Sequence, residues 1–209
     1  MRRYTSDDSH GRLPAFPFPL AATSKYSELT PWFVAYEMGP KLVEYSVEPP
    51  LWFCPARPYG YDRALRFIGA LPTGSQTLDL TNLVLYWKTQ SPEFAVIEHS
   101  WWVPRPLVGS PFSYPDPRVL HSRSEEGWPT RTEDPTGTFQ PILTDGVFGV
   151  WNDTKTGFDA FGLGHEFPRF PFGRMRSVNC LFVDGRVETR PRSALRWQAD
   201  FGHSAALVY

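Results

Sequence analysis

The sequence predicts an α+β fold in which short antiparallel strands and loops dominate and helices are few. Its 209 residues make one large domain or two small ones, long enough to bury a sizeable core. The 22 prolines are about twice the usual share and are spread along the chain, which disfavours long helices. Near the end, the β-forming runs 177–183 and 186–191 flank Asp184-Gly185, which predicts a β-hairpin.

This hairpin is the segment around which we expect the sheet to form. An Asp-Gly pair tolerates the positive φ angles that a two-residue type I′ turn needs. With such a turn, Phe182 lies opposite Val187 and Cys180 opposite Thr189, on a largely apolar face that should point into the core. On the other, charged face the predicted partners are Val183 with Arg186 and Leu181 with Glu188.

Two segments carry helix signals. At Thr30-Pro31 a fair N-cap precedes the residue favoured at the first helical position, and Gly39-Pro40 ends this predicted helix. A second helix is predicted over 62–70, where Asp62 is the cap and apolar residues recur at helical spacing. The segment 77–88 keeps no single apolar period, and we interpret it as extended.

Further strands and one long loop are expected in the middle of the chain. Residues 94–103 are rich in β-forming side chains and predict a strand. Residues 142–151 predict one core strand, or a pair of strands that turns at Asp145-Gly146. Between them, residues 104–141 are polar and rich in Pro, Gly, Ser and Thr, so we expect a long loop excursion.

Charge, cysteine content and hydropathy exclude several classes of protein. The net charge is −1 with acids and bases interspersed, which indicates neither nucleic-acid binding nor a membrane-surface patch. Cys54 and Cys180 form no metal-binding pair, and we favour two buried thiols over a single disulfide. No apolar run approaches the roughly 18 residues of a membrane helix, and no signal-peptide pattern is present. The chain as written is therefore predicted to be neither exported nor anchored.

The sequence carries no nucleophile elbow, phosphate loop or dinucleotide fingerprint, so we predict no enzyme and no cofactor. The five histidines are far apart, and a metal-dependent hydrolase around His165 and Asp184 is only a third hypothesis. Asn152, Asp153 and Asp159 offer oxygen ligands for Ca²⁺, but their spacing is not that of an EF-hand.

The tryptophans suggest a different class of function, a carbohydrate-binding or adhesion β-domain that uses exposed Trp and Tyr side chains. Trp101 and Trp102 are adjacent, so on a strand they point to opposite faces and one of them can lie outside. Trp128 and Trp151 could extend a coplanar platform. The hypothesis fails if these side chains are buried, because core packing is their ordinary role.

Five segments stand out in order along the chain. They are 4–14 (YTSDDSHGRLP), 53–57 (FCPAR), 102–105 (WVPR), 141–145 (PILTD) and 177–188 (SVNCLFVDGRVE). Together they resemble the prepilin-like proteins of the type II secretion pseudopilin kind. The last segment resembles the C-terminal signature of that family, a His followed after about nine residues by Asp-Gly. The signature and structural residues that the resemblance implies are Cys54, His165, Asn179, Asp184 and Gly185.

The chain departs from the family pattern in two places. The family begins with a peptidase site and a hydrophobic helix of about 20 residues, whereas this chain begins about where that helix would end. Arg174 stands where the signature His would be, and His165 is the displaced equivalent, shifted by the insertion 167–172. Asp184-Gly185 is therefore interpreted as a turn rather than as a catalytic pair.

The resemblance implies a single domain over residues 1–209, a pilin-like head without the N-terminal pilin helix. This head would have a twisted antiparallel sheet, short helices and long Pro-rich loops. The implied function is that of a non-enzymatic structural or accessory subunit of an extracytoplasmic filament or secretion assembly, in the periplasm or at the cell surface. Its partners would be other protein subunits or further copies of the chain, with neither nucleic acid nor membrane insertion, and with carbohydrate as the alternative.

Overall fold

The computed structural model describes residues 11–15, 32–43, 46–55, 58–72, 74, 77–106, 113–114, 128–146, 148–151, 158–161, 177–195, 197–200 and 205–208. In these ranges the α-helices are α1 (Met38–Val43), α2 (Pro58–Gly69) and α3 (Leu80–Gln90). Short 3₁₀ helices span Pro49–Trp52, Pro135–Thr138 and Arg192–Ala194. Among the helices so described, none has both the length and the apolar character needed to cross a membrane.

The strands are short and pair in antiparallel sheets. In chain order they are β1 (Phe33–Val34), β2 (Ala95–Val96), β3 (His99–Trp101), β4 (Arg105–Pro106), β5 (Ser113–Tyr114), β6 (Leu143–Asp145), β7 (Phe148–Trp151), β8 (Phe158–Phe161), β9 (Ser177–Leu181), β10 (Val187–Pro191), β11 (Trp197–Asp200) and β12 (Ala205–Val208). Two four-stranded sheets have the orders β10-β9-β6-β3 and β11-β12-β7-β8, and two pairs join β1 to β2 and β4 to β5. Helices beside antiparallel sheets confirm the predicted α+β class.

The segment 77–88, predicted as extended, is instead the helix α3. Asp79 is its N-cap, and the carboxylate accepts a hydrogen bond of 2.8 Å from the backbone N–H of Asn82. The buried residues recur at helical spacing and face the core: Leu83, Tyr86 and Trp87. The prediction was wrong because half-buried and exposed apolar residues on the same helix, among them Leu85, obscure this period.

The helix predicted to start at Thr30-Pro31 is wrong over its described part. Phe33 and Val34 form β1, whose pairing with β2 places the Phe33 ring on that of Phe94, with centroids 4.1 Å apart. The helix α1 begins only at Met38, close to where the predicted helix should have ended. A tertiary strand partner has therefore overridden the local capping signal.

One hydrophobic core lies among α1, α2, α3 and the β1–β2 pair. The helix predicted over 62–70 is confirmed as part of α2, which begins earlier, at Pro58, and buries Ala64 and Ile68 completely. Trp52 and Trp87 meet edge to face in this core, with ring centroids 5.3 Å apart. The helices α1 and α2 both pack against α3, and β2 packs against α3 as well.

The strands predicted around Asp145-Gly146 do not form a hairpin. β6 pairs with β3 and β9, whereas β7 pairs with β8 and β12 in the other four-stranded sheet. The backbone N–H of Gly146 donates instead to the carbonyl oxygen of Glu98, at 3.2 Å. A Cβ at Gly146 would lie 2.8 Å from that oxygen, so the glycine serves a close backbone approach rather than a turn.

The hairpin of residues 177–191 is present, but its register differs by one residue from the prediction. The N–H of Phe182 donates to the carbonyl of Arg186, and the N–H of Gly185 donates to the carbonyl of Phe182, both at 3.0 Å. Gly185 has a φ of +83°. The loop is therefore the three-residue type with a left-handed glycine, rather than the predicted two-residue turn.

The longer loop changes the partners across the hairpin. Val187 pairs with Leu181 and is 62% exposed, so the predicted pairing of Val187 with Phe182 is wrong. Cys180 pairs with Glu188 rather than with Thr189. The predicted core face is nevertheless correct for this side of the hairpin, because Cys180 in β9 and Phe182 directly after it are both buried.

The stretch 104–141 contains the β4–β5 pair and the 3₁₀ helix at Pro135–Thr138. Its last part returns to the body of the molecule, where Leu13 donates its N–H to the carbonyl of Thr130 at 2.8 Å. Residues 107–112 and 115–127 lie outside the described residues. One domain over residues 1–209 stays a prediction.

Candidate functional site

Two of the family-like segments contribute paired strands to the sheet β10-β9-β6-β3, and a third continues directly from the end of β3. Residues 102–105 follow β3, residues 141–145 run into β6, and residues 177–188 form β9, the turn and the start of β10. Backbone hydrogen bonds join them, from Trp102 N–H to the Ile142 carbonyl at 2.9 Å and from Ile142 N–H to the Leu181 carbonyl at 2.8 Å. Segments far apart in the sequence thus form one continuous structure, which we call the signature sheet.

The segment at Cys54 is connected to the signature sheet through Glu98. The Cys54 N–H donates to the Glu98 carboxylate at 2.8 Å, and the Glu98 carbonyl accepts the N–H of Gly146. Of the N-terminal segment 4–14, only residues 11–14 are described, and they contact the stretch 130–132.

Asp145 is a buried carboxylate, 6% exposed, where β6 meets β9. The backbone pairing between these strands includes Thr144 with Cys180. At the next position the Asp145 Oδ2 accepts the backbone N–H of Asn179, at 2.7 Å. Because a buried charge needs such partners, this contact ties the end of β6 to β9.

Asn179 extends this network across β9. Its side-chain Oδ1 accepts a hydrogen bond of 2.7 Å from the Thr189 hydroxyl on β10. These two residues are paired in the hairpin register, so the contact is a cross-strand pair. The signature residue Asn179 therefore links β6, β9 and β10.

Cys180 lies beneath this network and is completely buried. Burial raises the pKa of its thiol to about 11, with Arg190 opposing the rise and Asp145 adding to it. The thiol is therefore protonated at neutral pH and is a poor nucleophile. Cys54 is also buried and neither cysteine forms a disulfide, which confirms the expectation of two buried thiols.

Asp184 and Gly185 form the exposed tip of the hairpin. The Asp184 Oδ1 accepts the N–H of Arg186 at 2.9 Å, a contact that closes the turn. Arg186 also donates from Nη2 to the carbonyl of Thr138, at 2.8 Å. A side chain at Gly137 would overlap Val183, so the tip lies tightly on the 3₁₀ helix at Pro135–Thr138.

Charged side chains that follow the turn and lie along β10 cover the ring of Phe182, on the same face of the hairpin as Cys180. The guanidinium groups of Arg186 and Arg190 lie 3.9 and 5.5 Å from the centroid of its ring. Glu188 forms ion pairs with both arginines. These partly exposed ion pairs contribute little to stability, but their side chains exclude solvent from the Phe182 ring, which is 1% exposed.

His165 lies outside the described residues, so its predicted pairing with Asp184 has no geometry here. The same holds for Asn152 and Asp153, and the side chain of Asp159 in β8 is likewise not described. Within the described ranges, no cluster of three or more His, Cys, Asp or Glu side chains is placed to hold a metal ion.

Two of the four tryptophans in the predicted carbohydrate platform are buried. Trp102 and Trp128 are buried and stack on each other, with ring centroids 5.1 Å apart. The Trp102 indole N–H donates to the Thr144 hydroxyl at 3.0 Å. Trp101 is half-buried against the core, and the side chain of Trp151 lies outside the described part. Trp102 and Trp128 are therefore not available to a surface platform.

A cavity of about 320 Å³ opens beside the core, between α2, α3 and the β1–β2 pair. Four aromatic side chains line it: Trp32, Phe53, Tyr59 and Tyr86. We call this cavity the aromatic pocket. The Tyr59 ring is 64% exposed and has the Arg66 guanidinium 5.8 Å from its centroid. The pocket thus has a buried apolar wall and an accessible aromatic rim.

Three polar side chains also line the aromatic pocket, one cationic, one anionic and one neutral: Arg63, Glu98 and Gln90. The Glu98 carboxylate lies against the first turn of α2, at Gly60. Any side chain at that position would overlap the carboxylate, so the close approach requires glycine. Burial raises the pKa of Tyr86, with Arg63 opposing this and Glu98 adding to it. Its phenol is therefore a neutral hydrogen-bonding group.

No local pattern along the chain indicates this pocket. Its residues come from five separate segments, and only the spacing of Tyr59 and Arg63 on one face of α2 is visible along the chain. Recognising that 80–90 is a helix would have placed Tyr86 and Gln90 on a common face as well.

Comparisons with known proteins leave the family open. Neither the protein-family models, nor the curated proteins, nor the solved structures gave a match to this chain.

Proposed function

We propose that this chain is the globular head of a pseudopilin-like protein, a non-enzymatic structural or accessory subunit of an extracytoplasmic filament or secretion assembly. The observation that supports this most is the signature sheet, in which residues 141–145 pair with residues 177–188, and residues 102–105 begin with a backbone hydrogen bond from Trp102 to Ile142. Segments that resemble one family in order, and that also pair with one another in space, are what a shared fold would produce.

The contacts of the signature residues favour a role for surfaces over a role for chemistry. Asn179 joins strands, Asp184 and Gly185 close a turn, and Cys54 donates a backbone hydrogen bond. The Asp184 carboxylate closes an exposed turn, and the Cys180 thiol is buried and protonated, so the thiol is not an activated nucleophile.

The outer edge of β10 is the surface that we propose for subunit contact. β10 ends the order of its sheet, and an edge strand presents backbone groups to which another chain can pair. Val187, Thr189 and Pro191 are exposed along it. Val187 is a large apolar side chain at 62% exposure, which suits an interface better than solvent.

The proposal is tested in the organism that encodes the chain, with a tagged protein expressed from its own gene. After gentle cross-linking, we expect the protein to co-purify with a sheared surface filament or a secretion complex. Val187→Asp should abolish this association by placing a charge on the edge. Leu51→Asp is the matched control, since Leu51 is 61% exposed on a different element, and it should retain the association.

Two results would count against the proposal. One is a native protein that fractionates only as a single free chain under cross-linking. The other is equal loss with Val187→Asp and Leu51→Asp, which would assign the effect to general instability rather than to the β10 edge.

A further inference from the structure

The aromatic pocket has the size and walls of a small-ligand site. Its volume of about 320 Å³ lies at the lower end of the roughly 300–1,000 Å³ typical of such sites. That space suits one or two six-membered rings and is too small for a dinucleotide. The accessible faces of Tyr59 and Trp32 offer flat apolar surfaces beside the opening.

The charges around the pocket select against a strongly charged ligand. Arg63 and Glu98 carry opposite charges and line the same cavity. A cation attracted by Glu98 would meet repulsion from Arg63 and from Arg66 beside Tyr59, and an anion attracted by Arg63 would meet repulsion from Glu98, so the pocket favours neither sign of charge. A neutral ligand with several hydroxyl groups avoids both costs.

Hydrogen-bonding capacity points the same way. Arg63 only donates hydrogen bonds, the Glu98 carboxylate only accepts them, and Gln90 does both. Each hydroxyl of a ligand both donates and accepts, so several hydroxyls on one ring match this set. The C–H groups on one face of such a ring also pack well on the electron-rich face of an aromatic side chain.

We propose that the aromatic pocket binds the neutral pyranose ring of a sugar, either free or as one residue of a glycan. One face of the ring lies against Tyr59 or Trp32, and its hydroxyls contact Arg63, Gln90 and Glu98. This site is distinct from the tryptophan platform considered from the sequence and from the β10 edge. It gives the head a ligand-binding function that does not depend on subunit contact.

The test is calorimetric titration of the whole chain, with saturation-transfer NMR as a second readout. The probes are the methyl glycosides of glucose, galactose, mannose and N-acetylglucosamine, with choline as the cationic and inorganic phosphate as the anionic comparison. We expect saturable binding of at least one neutral glycoside with a Kd of about 1 mM or tighter. Binding of none up to about 20 mM, or of choline or phosphate alone, overturns the proposal.

Variants assign the binding to the pocket. Tyr59→Ala should weaken the affinity at least about fivefold, because a stacking face is lost from an exposed position. Arg63→Gln should weaken it about tenfold, because a charged donor is lost. Leu85→Ala is the control, since Leu85 is next to Tyr86 on α3 but lies outside the pocket lining, and it should change affinity by less than about twofold.

The variants also separate loss of binding from loss of fold. Unchanged thermal unfolding with lost binding in Tyr59→Ala and Arg63→Gln supports the site, whereas full binding in both overturns it. The corresponding di- and trisaccharides distinguish a free sugar from a glycan. Equal affinity for one ring and for the longer chain supports capture of a single ring, and tighter binding of the longer chain supports a glycan ligand.

Discussion

The hydrogen bond between Trp102 and Thr144 provides a sharp test of how β6 is held to the segment that follows β3. The indole Nε1 lies 3.0 Å from the Thr144 Oγ1, and the two residues are 0% and 2% exposed. Thr144→Val removes the acceptor from a buried donor and should cost about 1–3 kcal/mol. Trp102→Phe should cost about 2–4 kcal/mol, because it also leaves a cavity beside Trp128.

The double variant should be less damaged than the sum of its parts. With both polar groups replaced by apolar ones, the desolvation cost of the orphaned group disappears, so we expect a coupling energy of about 1–2 kcal/mol. Urea titration followed by far-UV circular dichroism measures the free energy of unfolding. Each kcal/mol corresponds to about 2–4 °C in Tm for a chain of this length.

The control is Thr89→Val at an exposed position of α3, where the lost hydroxyl donates to the Tyr86 carbonyl and accepts from the Gln90 side-chain amide. It should cost less than about 0.5 kcal/mol. Additivity of Trp102→Phe and Thr144→Val within about 0.3 kcal/mol would refute the reasoning, because it would mean that no buried hydrogen bond connects them.

Three further predictions concern the hairpin. Gly137→Ala should lower the free energy of unfolding, measured by urea titration, by about 1–3 kcal/mol, because the new Cβ overlaps Val183. Adding Val183→Ala should recover part of that loss, and no recovery would argue against the contact. Gly185→Ala should cost about 1–2 kcal/mol because φ is positive, and Gly185→Asn less, so equal costs would contradict the left-handed turn. The Cys180 thiol has a pKa of about 11 in the fold against its usual 9.0, so the unfolded chain loses this proton first. The stability that comes from this difference in pKa is complete below pH 9.0 and declines as the pH rises towards about 11. Cys180→Ala should remove this decline, which urea titrations at a series of pH values measure.

The hairpin shows how far local sequence determines structure. Asp184-Gly185 specifies a tight turn, because its glycine adopts the positive φ that both the two-residue and the three-residue loop require. Two contacts favour the three-residue loop over the two-residue loop: the packing of Val183 on Gly137 and the hydrogen bond from Arg186 to the Thr138 carbonyl. Those contacts come from a segment about 45 residues away, so the register could not be derived from the hairpin alone.

The same dipeptide type at Asp145-Gly146 makes the opposite point. Its local pattern predicts a turn, yet Asp145 caps the pairing of β6 with β9, and Gly146 admits the Glu98 carbonyl. The aromatic pocket depends even more on tertiary structure, because Glu98 reaches it from beyond β2 and meets α2 at Gly60. The α2 helix and the buried face of β9 were predictable, since both rest on periodicity within one segment.

The order β10-β9-β6-β3 has a consequence for how the chain is made. β3 and β6 leave the ribosome before β9, so β6 has an unpaired edge until the hairpin arrives. The 46 residues from Asp145 to Pro191 take roughly 2–9 s at about 5–20 residues per second, whereas a hairpin closes within about 1–10 µs. Synthesis rather than folding therefore sets the time for which a nascent chain offers that edge to its neighbours, and the hairpin ends this exposure as soon as it is complete.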